Sequence, residues 1–360
     1  MITLAVDGRG LWDGSQTRGI GVYLTQLVEG LRTHADIRTV VLARPGTGLP
    51  AGAELRPVRR STNRRLADLE HELLLPRELT AVGADVGHGP GQHPPRRAPV
   101  PWLQNVHDLT PLTYDDPTYA GDRRRWRRMA PRLRRAAGVI TGSRFSAGQV
   151  HTLLGIPTDR IHVIAHAAGP AFRPTGEAPA EPPYLLYVGA WGPHKGFAEA
   201  FAVVGRLADL GYPHSLKVAG HQDTWMRARV EELRARSPRP ERVEILGYVD
   251  DLAALYRRAT ALVVSSRAEG FGLPAVEAMA CGTPVVAFAN TALTEVVDEG
   301  GVLVDDGDVD AFVAALRRVL DSERERLELS QRALARARSF SWERAVAAHA
   351  DLYRATASSR

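Results

Sequence analysis

The sequence predicts an α/β protein made of two doubly wound, parallel-sheet domains. Three observations predict it. Short apolar strand candidates alternate with longer helical patterns through both halves of the chain, the order that gives parallel sheets covered by helices. A proline-dense stretch from Pro170 to Pro183 interrupts that alternation, and such a stretch is neither a helix nor a central strand. A length of 360 residues gives each of two or three domains enough chain to bury its own core. The expected organisation is a first domain over residues 1–172, a linker over 173–183, a second domain over 184–339 and a C-terminal helix over 340–360. Two such domains facing each other leave a deep crevice, and ligands of doubly wound sheets bind outside the carboxyl ends of the strands.

In the first half the strand candidates are Ile2–Val6, Thr39–Ala43, Trp102–Val106 and Gly138–Thr141, with helical patterns over Gly21–Thr33, Asp122–Ala137 and Ser146–Leu154. The second half restarts at Tyr184-Leu-Leu-Tyr-Val188. It continues through Leu216–Ala219, Val243–Leu246, Leu262–Ser265, Pro284–Phe288 and Gly301–Val304. Helices are expected over Phe197–Leu210, Asp223–Arg236 and Val309–Leu320, and an amphipathic one over Phe340–Ala357.

Composition narrows the function classes. No apolar run approaches the ~20 residues that span a bilayer. The N-terminus reads as a strand with no basic leader, so the cytoplasm is the expected compartment. Cys281 is the only cysteine, which excludes an internal disulfide and the usual structural zinc sites, and its apolar context suggests a buried thiol. The net charge is a modest +5. Lys195 and Lys217 are the only lysines among 46 basic residues, so a lysine at position 195 stands out.

The most informative segment is Glu269-Gly-Phe-Gly-Leu-Pro-Ala-Val-Glu277. It follows the apolar run Leu262–Val264 and ends near Cys281-Gly282, which reads as strand, loop and helix. Pro274 fits the first helical position. The amides of Gly272 and Leu273 then point outward at the positive end of the helix dipole, a place for an anion or a sugar hydroxyl. Glu269 falls on the loop and Glu277 in the first helical turn, so both can face one crevice. Acids in a first turn also serve simply to complement the dipole. A second loop, Val188-Gly-Ala-Trp-Gly-Pro-His-Lys195-Gly196, places Gly189, His194 and Lys195 after a strand, where an ammonium can meet a phosphate. Arg18-Gly-Ile-Gly-Val-Tyr23 opens the first helix with Gly19 and Gly21, a weak dinucleotide signal without the third glycine. His107-Asp108 follows a strand: His107 could bond a sugar hydroxyl or be merely packed, while Asp108 caps a turn.

The Glu269–Glu277 segment, with these loops in this order, resembles the Glu-x7-Glu signature of retaining glycosyltransferases of family 4, and the resemblance covers nearly the whole chain. It implies the GT-B fold of two facing Rossmann-like domains and a nucleotide diphosphate sugar donor, with a saccharide, lipid carrier or natural product as hydroxyl acceptor. It implies catalytic roles for His107, Lys195 and Glu269. The implied donor-binding set adds Gly19, Gly21, Gly189, His194, Val249, Gly270, Phe271, Gly272, Leu273 and Glu277. In that reading Lys195 meets the pyrophosphate and Glu277 the ribose, while the Gly247-Tyr-Val249 loop holds the base. Where many relatives carry arginine this chain has Ala190, so Arg18, Arg267 or His194 is expected to supply a second phosphate cation. Asp7-Gly-Arg-Gly-Leu11 resembles the mannosyl- and rhamnosyltransferase branch.

No cofactor is expected, and no metal. Asp306-Gly-Asp308 and Asp250-Asp251 both read as helix caps. The helix 122–137 carries eight arginines between Arg123 and Arg135, interleaved with Trp126, Met129 and Leu133. That pattern is a solvated face or a peripheral dock on anionic membrane at the inner face. No nucleic-acid module accompanies it. The rival readings are a sugar-nucleotide epimerase of the same fold, and a non-catalytic protein docking through this helix.

Overall fold

A computed structural model describes residues 1–12, 19–61, 63–91, 93–220 and 224–358. The chain forms two compact units: Met1–His166 together with Trp342–Arg360, and Ala167–Ser341.

The first unit holds a seven-stranded, all-parallel sheet: β1 Ile2–Asp7, β2 Ile37–Ala43, β3 Glu54–Pro57, β4 Val86–Gly89, β5 Trp102–Asn105, β6 Gly138–Thr141 and β7 Ile161–Val163. Their order is β3-β2-β1-β4-β5-β6-β7. Buried aliphatic residues on β1 and β2 pack against the helix Gly19–Leu31 through Leu24, Leu27 and Val28. The final helix, Trp342–Ser358, packs on the same core through Val346, Ala350 and Tyr353. Trp126, Met129 and Leu133 of the arginine-rich helix, which runs Ala120–Leu133, form a separate cluster with Val106, Val139 and Val150. The apolar face of that helix is therefore spent on its own core.

The second unit holds β8 Tyr184–Val188, β9 Ser215–Ala219, β10 Val243–Gly247, β11 Ala261–Val264, β12 Val285–Phe288 and β13 Val302–Val304, in the order β10-β9-β8-β11-β12-β13 and again all parallel. From β8 the chain moves outward through β9 and β10, then returns to the other side of β8 as β11. The carboxyl ends of β8 and β11 therefore diverge, and a topological switch of this kind is where such sheets hold ligands.

The segment 173–183 carries no helix or strand. It is anchored within the second unit: Ala180 N–H donates to the Arg258 carbonyl at 3.1 Å, and Glu177 pairs with Arg257 at 2.8 Å. The expected helix Asp223–Arg236 is seen over Thr224–Ala235, Asp223 lying outside the described residues. Among the described residues no helix is long and apolar enough to cross a membrane.

Candidate active site

The two loops at the switch point of the second sheet are stitched together by backbone. Arg267 N–H donates to the His194 carbonyl at 2.7 Å, and the Ser265 hydroxyl donates to the Gly196 carbonyl at 2.7 Å. Tyr187 OH donates to the Lys195 carbonyl at 2.8 Å. Gly196 has φ +66°, and a Cβ there would lie 1.9 Å from the Ser265 carbonyl oxygen. Only glycine allows the β8 loop to approach the β11 loop this closely.

That approach brings together two residues far apart in sequence. Lys195 Nζ donates to Glu269 Oε1 at 2.7 Å, with the side chains 21% and 14% exposed. Burial pushes the Glu269 carboxyl up, but the adjacent Lys195 ammonium and its hydrogen bond outweigh burial and hold it below the ordinary range. Glu269 is therefore a carboxylate at neutral pH, and it lines a small cavity together with Tyr187, Ser266, Gly272 and Pro274. Gly189 leaves β8 and donates its N–H to the Ala219 carbonyl at 2.9 Å, and Val249 sits on the loop that follows β10.

The helix after the β11 loop runs Leu273–Cys281. Gly272, at φ +92°, is its N-cap, so the helix starts one residue earlier than the proline suggested. Pro274 is its second residue and Glu277 lies in its second turn, not its first. The Glu277 carboxylate lies on the buried side of the helix. It is 8% exposed and accepts from Tyr256 OH at 2.9 Å. Burial raises its pKa to about 7, against the lowering effect of the Tyr256 hydrogen bond. Phe271 is buried edge-on to Phe340, with ring centres 5.6 Å apart, and Gly270 is buried beside it.

A third loop, after β12, completes the arrangement, and the sequence reading had missed it. Asn290 Nδ2 donates to the Ser266 carbonyl at 2.9 Å and to Asp306 at 2.7 Å. Thr291 Oγ1 accepts from Glu269 N–H at 3.0 Å and donates to Asn290 Oδ1 at 3.0 Å. The one signal in the sequence is a pair of small polar residues one position beyond an apolar strand.

The candidates for a second phosphate cation fare differently from expectation. His194 is pushed down to about 4, by burial and then by the Lys195 ammonium, so it is a neutral hydrogen-bonding group at pH 7. Arg267 is already paired with Glu199 at 3.2 Å and Asp306 at 2.9 Å. Arg18 lies outside the described residues. Asp308 caps the helix Val309–Asp321 and Asp251 caps Leu252–Arg258, as the sequence suggested.

His107, Gly19 and Gly21 belong to the first unit. Gly19 opens the helix Gly19–Leu31, with Gly21 in its first turn. His107 Nε2 lies 2.8 Å from the Pro90 carbonyl, so that nitrogen carries the proton and donates. Burial lowers its pKa, which leaves the ring neutral with Nδ1 as an acceptor. Asp108 caps the turn that follows, accepting from Thr110 N–H at 3.0 Å.

Known proteins share this architecture and sequence. The description "Glycosyl transferases group 1" matches residues 170–336, and "Glycosyltransferase Family 4" matches residues 17–168. O-antigen chain mannosyltransferase B of Escherichia coli is 33% identical over 273 residues, which cover 71% of this chain and 70% of that protein. Sucrose-phosphate synthase from Thermosynechococcus elongatus superposes with a TM-score of 0.84 at 23% identity, over 100% of both chains. Anabaena Alr3699/HepE, solved with UDP and glucose, superposes with a TM-score of 0.73 at 18% identity, over 98% of this chain and 99% of that one. With two parallel-sheet Rossmann-like units in the GT-B architecture, and with that sequence identity over most of its length, the chain belongs to glycosyltransferase family 4.

Proposed function

We propose that this glycosyltransferase moves a hexose, of mannose or rhamnose type, from a nucleotide diphosphate donor to a hydroxyl acceptor, with retention of configuration and without a metal ion. The observation that carries the proposal is the Lys195–Glu269 contact at the carboxyl ends of β8 and β11. The choice of sugar rests on the mannosyltransferase name of the Escherichia coli relative and on the Asp7-Gly-Arg-Gly-Leu11 stretch. The diphosphate donor is in keeping with the UDP bound to the Anabaena protein.

In this reading the departing diphosphate gains negative charge, and Lys195 stabilises it from a position fixed before reaction. The sugar becomes oxocarbenium-like and has to be held rigidly. Glu269 and the amides from Gly270 to Leu273 grip its hydroxyls, and His107 adds a contact. Glu277 takes the ribose. Glu269 and Glu277 do not act as the acid and nucleophile of a retaining glycosidase pair, because Glu277 is engaged with the donor. The leaving phosphate accepts the acceptor's proton on the same face. Asp306 and Asp308, the acids that could suggest a metal, serve instead as an ion-pair partner and a helix cap.

Peripheral docking on the inner face of an anionic membrane belongs to the same reading. Arg124, Arg127 and Arg128 are exposed on the arginine-rich helix. Leu66, Leu69 and Leu73 are exposed along one face of the helix Arg64–Ala81. Arg132 and Glu72 join the two helices by an ion pair of 2.5 Å.

A panel of nucleotide sugars, offered with and without saccharide acceptors and with a chelator present, tests the reaction. Transfer with an unchanged anomeric configuration in the product is expected. Conversion of the donor without any acceptor, loss of transfer on chelation, or inversion at the anomeric carbon would each overturn the corresponding element.

A further inference from the structure

Thr291 is a β-branched residue with φ +45°, in the left-handed region. Such residues are genuine outliers there, and outliers of this kind persist only where the surroundings hold them. Glycine would adopt the same φ without strain. The strained residue also forms the seam between two loops. Its Oγ1 accepts from Glu269 N–H and donates to Asn290 Oδ1, both at 3.0 Å. Ala292 N–H reaches the Glu269 carbonyl at 3.4 Å. Asn290, itself in extended backbone, holds the Ser266 carbonyl at 2.9 Å. The β11 loop is thus gripped on both sides of Arg267 by two consecutive residues of the β12 loop. A hydroxyl that both accepts and donates has a fixed rotor, so its position dictates that of the Glu269 backbone.

We infer that Thr291 is a positioning residue for transfer: its hydroxyl fixes the backbone of Glu269, so that the carboxylate is pre-set against Lys195 and the donor sugar. This rests on the role proposed above for Glu269. The strained backbone is kept because a residue without a side chain, relaxed at that φ, would supply no hydroxyl.

Four variants assayed for donor-sugar transfer test it: Thr291→Ser, Thr291→Val, Thr291→Gly and Glu269→Gln. Valine keeps the shape and loses the hydroxyl, serine keeps the hydroxyl, and glycine removes both hydroxyl and strain. Expected is a tenfold or larger fall in kcat for valine and glycine, donor KM within about twofold, and recovery of most of the turnover with serine. Glycine is the sharpest arm: a folded protein with a thermal midpoint close to the parent and a tenfold loss of kcat separates positioning from folding. Should it fail to fold, the serine–valine pair decides the matter alone. Parental kcat in the glycine variant, or serine no better than valine, overturns the inference. Parental turnover in Glu269→Gln overturns the reading of the site itself, whereas an inactive Glu269→Gln beside a fully active Thr291→Gly removes only the role of Thr291.

Discussion

Lys195 Nζ and Glu269 Oε1 lie 2.7 Å apart although 74 residues separate them in the chain. Each residue is held by its own loop, and the loops are joined through Gly196, Ser265 and the His194 carbonyl. The carboxylate satisfies the ammonium. In the function proposed above, a diphosphate meeting Lys195 would share that cation with Glu269 and find a charge already oriented.

Replacing Lys195 by methionine leaves a largely buried carboxylate without its cation. We expect a loss of about 2 kcal/mol, below the ~3–5 kcal/mol of a fully buried pair because both side chains keep some solvent. Transfer should fall at least tenfold, about 1.4 kcal/mol in the barrier. The sign of the pH effect follows from the depressed Glu269 carboxyl. Its stabilisation is present above the ordinary carboxylate value of 4.5 and is lost as the pH falls through the lower folded value. Without Lys195 the largest attraction opposing burial is gone and the Glu269 carboxyl moves up, so its share of the acid-side loss of stability should shrink and the acid limb flatten. Denaturant titrations across pH 3–6 read both effects; an acid limb of unchanged slope in Lys195→Met refutes the coupling.

Glu277 carries the opposite sign. Its folded pKa is raised to about 7 from 4.5, so its contribution to stability is complete below pH 4.5 and is lost as the pH rises through about 7. The parent protein should therefore lose stability over that window relative to Glu277→Gln. Donor affinity should move the other way. A ribose hydroxyl donates better to a carboxylate than to a carboxylic acid, so binding should tighten from pH 6 to pH 8 in the parent and stay flat in Glu277→Gln. Calorimetric titration with a nucleoside diphosphate at both pH values decides it, and equal pH dependence in parent and variant removes Glu277 from the ribose site.

Both sheets and the loops that matter were legible in the sequence because fully buried parallel strands read as unbroken aliphatic runs, as in Leu262-Val-Val and Tyr184-Leu-Leu-Tyr-Val. The strands left unread lack that signal. β4 is Val-Gly-His-Gly, β3 is a largely exposed edge strand ending in proline, and β7 has only three residues. At the site, Lys195 and Glu269 could be named because loop and strand signals fell beside them. Thr291 could not, since its importance lies in a φ value and in a partner 22 residues away. The turn of Glu277 was misjudged because proline marks the first helical position well, but a left-handed glycine cap moves that position by one.

Cys281 makes a simple check on the packing behind the site. It is buried at the end of the Leu273–Cys281 helix, and burial pushes its thiol up to about 12. Thiolate is the reactive form, so the native protein should resist thiol-specific reagents at pH 8 and react fully once unfolded. Rapid labelling of the native protein would show that this helix opens readily.

The Tyr256 hydroxyl offers the most specific test of the ribose contact proposed for Glu277. It is fully buried, donates to Glu277 at 2.9 Å, and its backbone carbonyl accepts from Thr283 Oγ1 at 2.7 Å, so its ring cannot wander. Tyr256→Phe removes one hydrogen bond to a buried carboxylate, and a charged-group bond of that kind contributes roughly 1.5–3 kcal/mol. With that bond gone, Glu277 titrates higher and is less well aimed. The donor KM should rise several-fold at pH 7, and the loss should shrink at pH 9, where the carboxylate is restored. Discrimination between donors with ribose and with deoxyribose carries the argument further: if Tyr256 aims Glu277 at the ribose, Tyr256→Phe narrows the preference for ribose, whereas a purely structural tyrosine would weaken both donors alike.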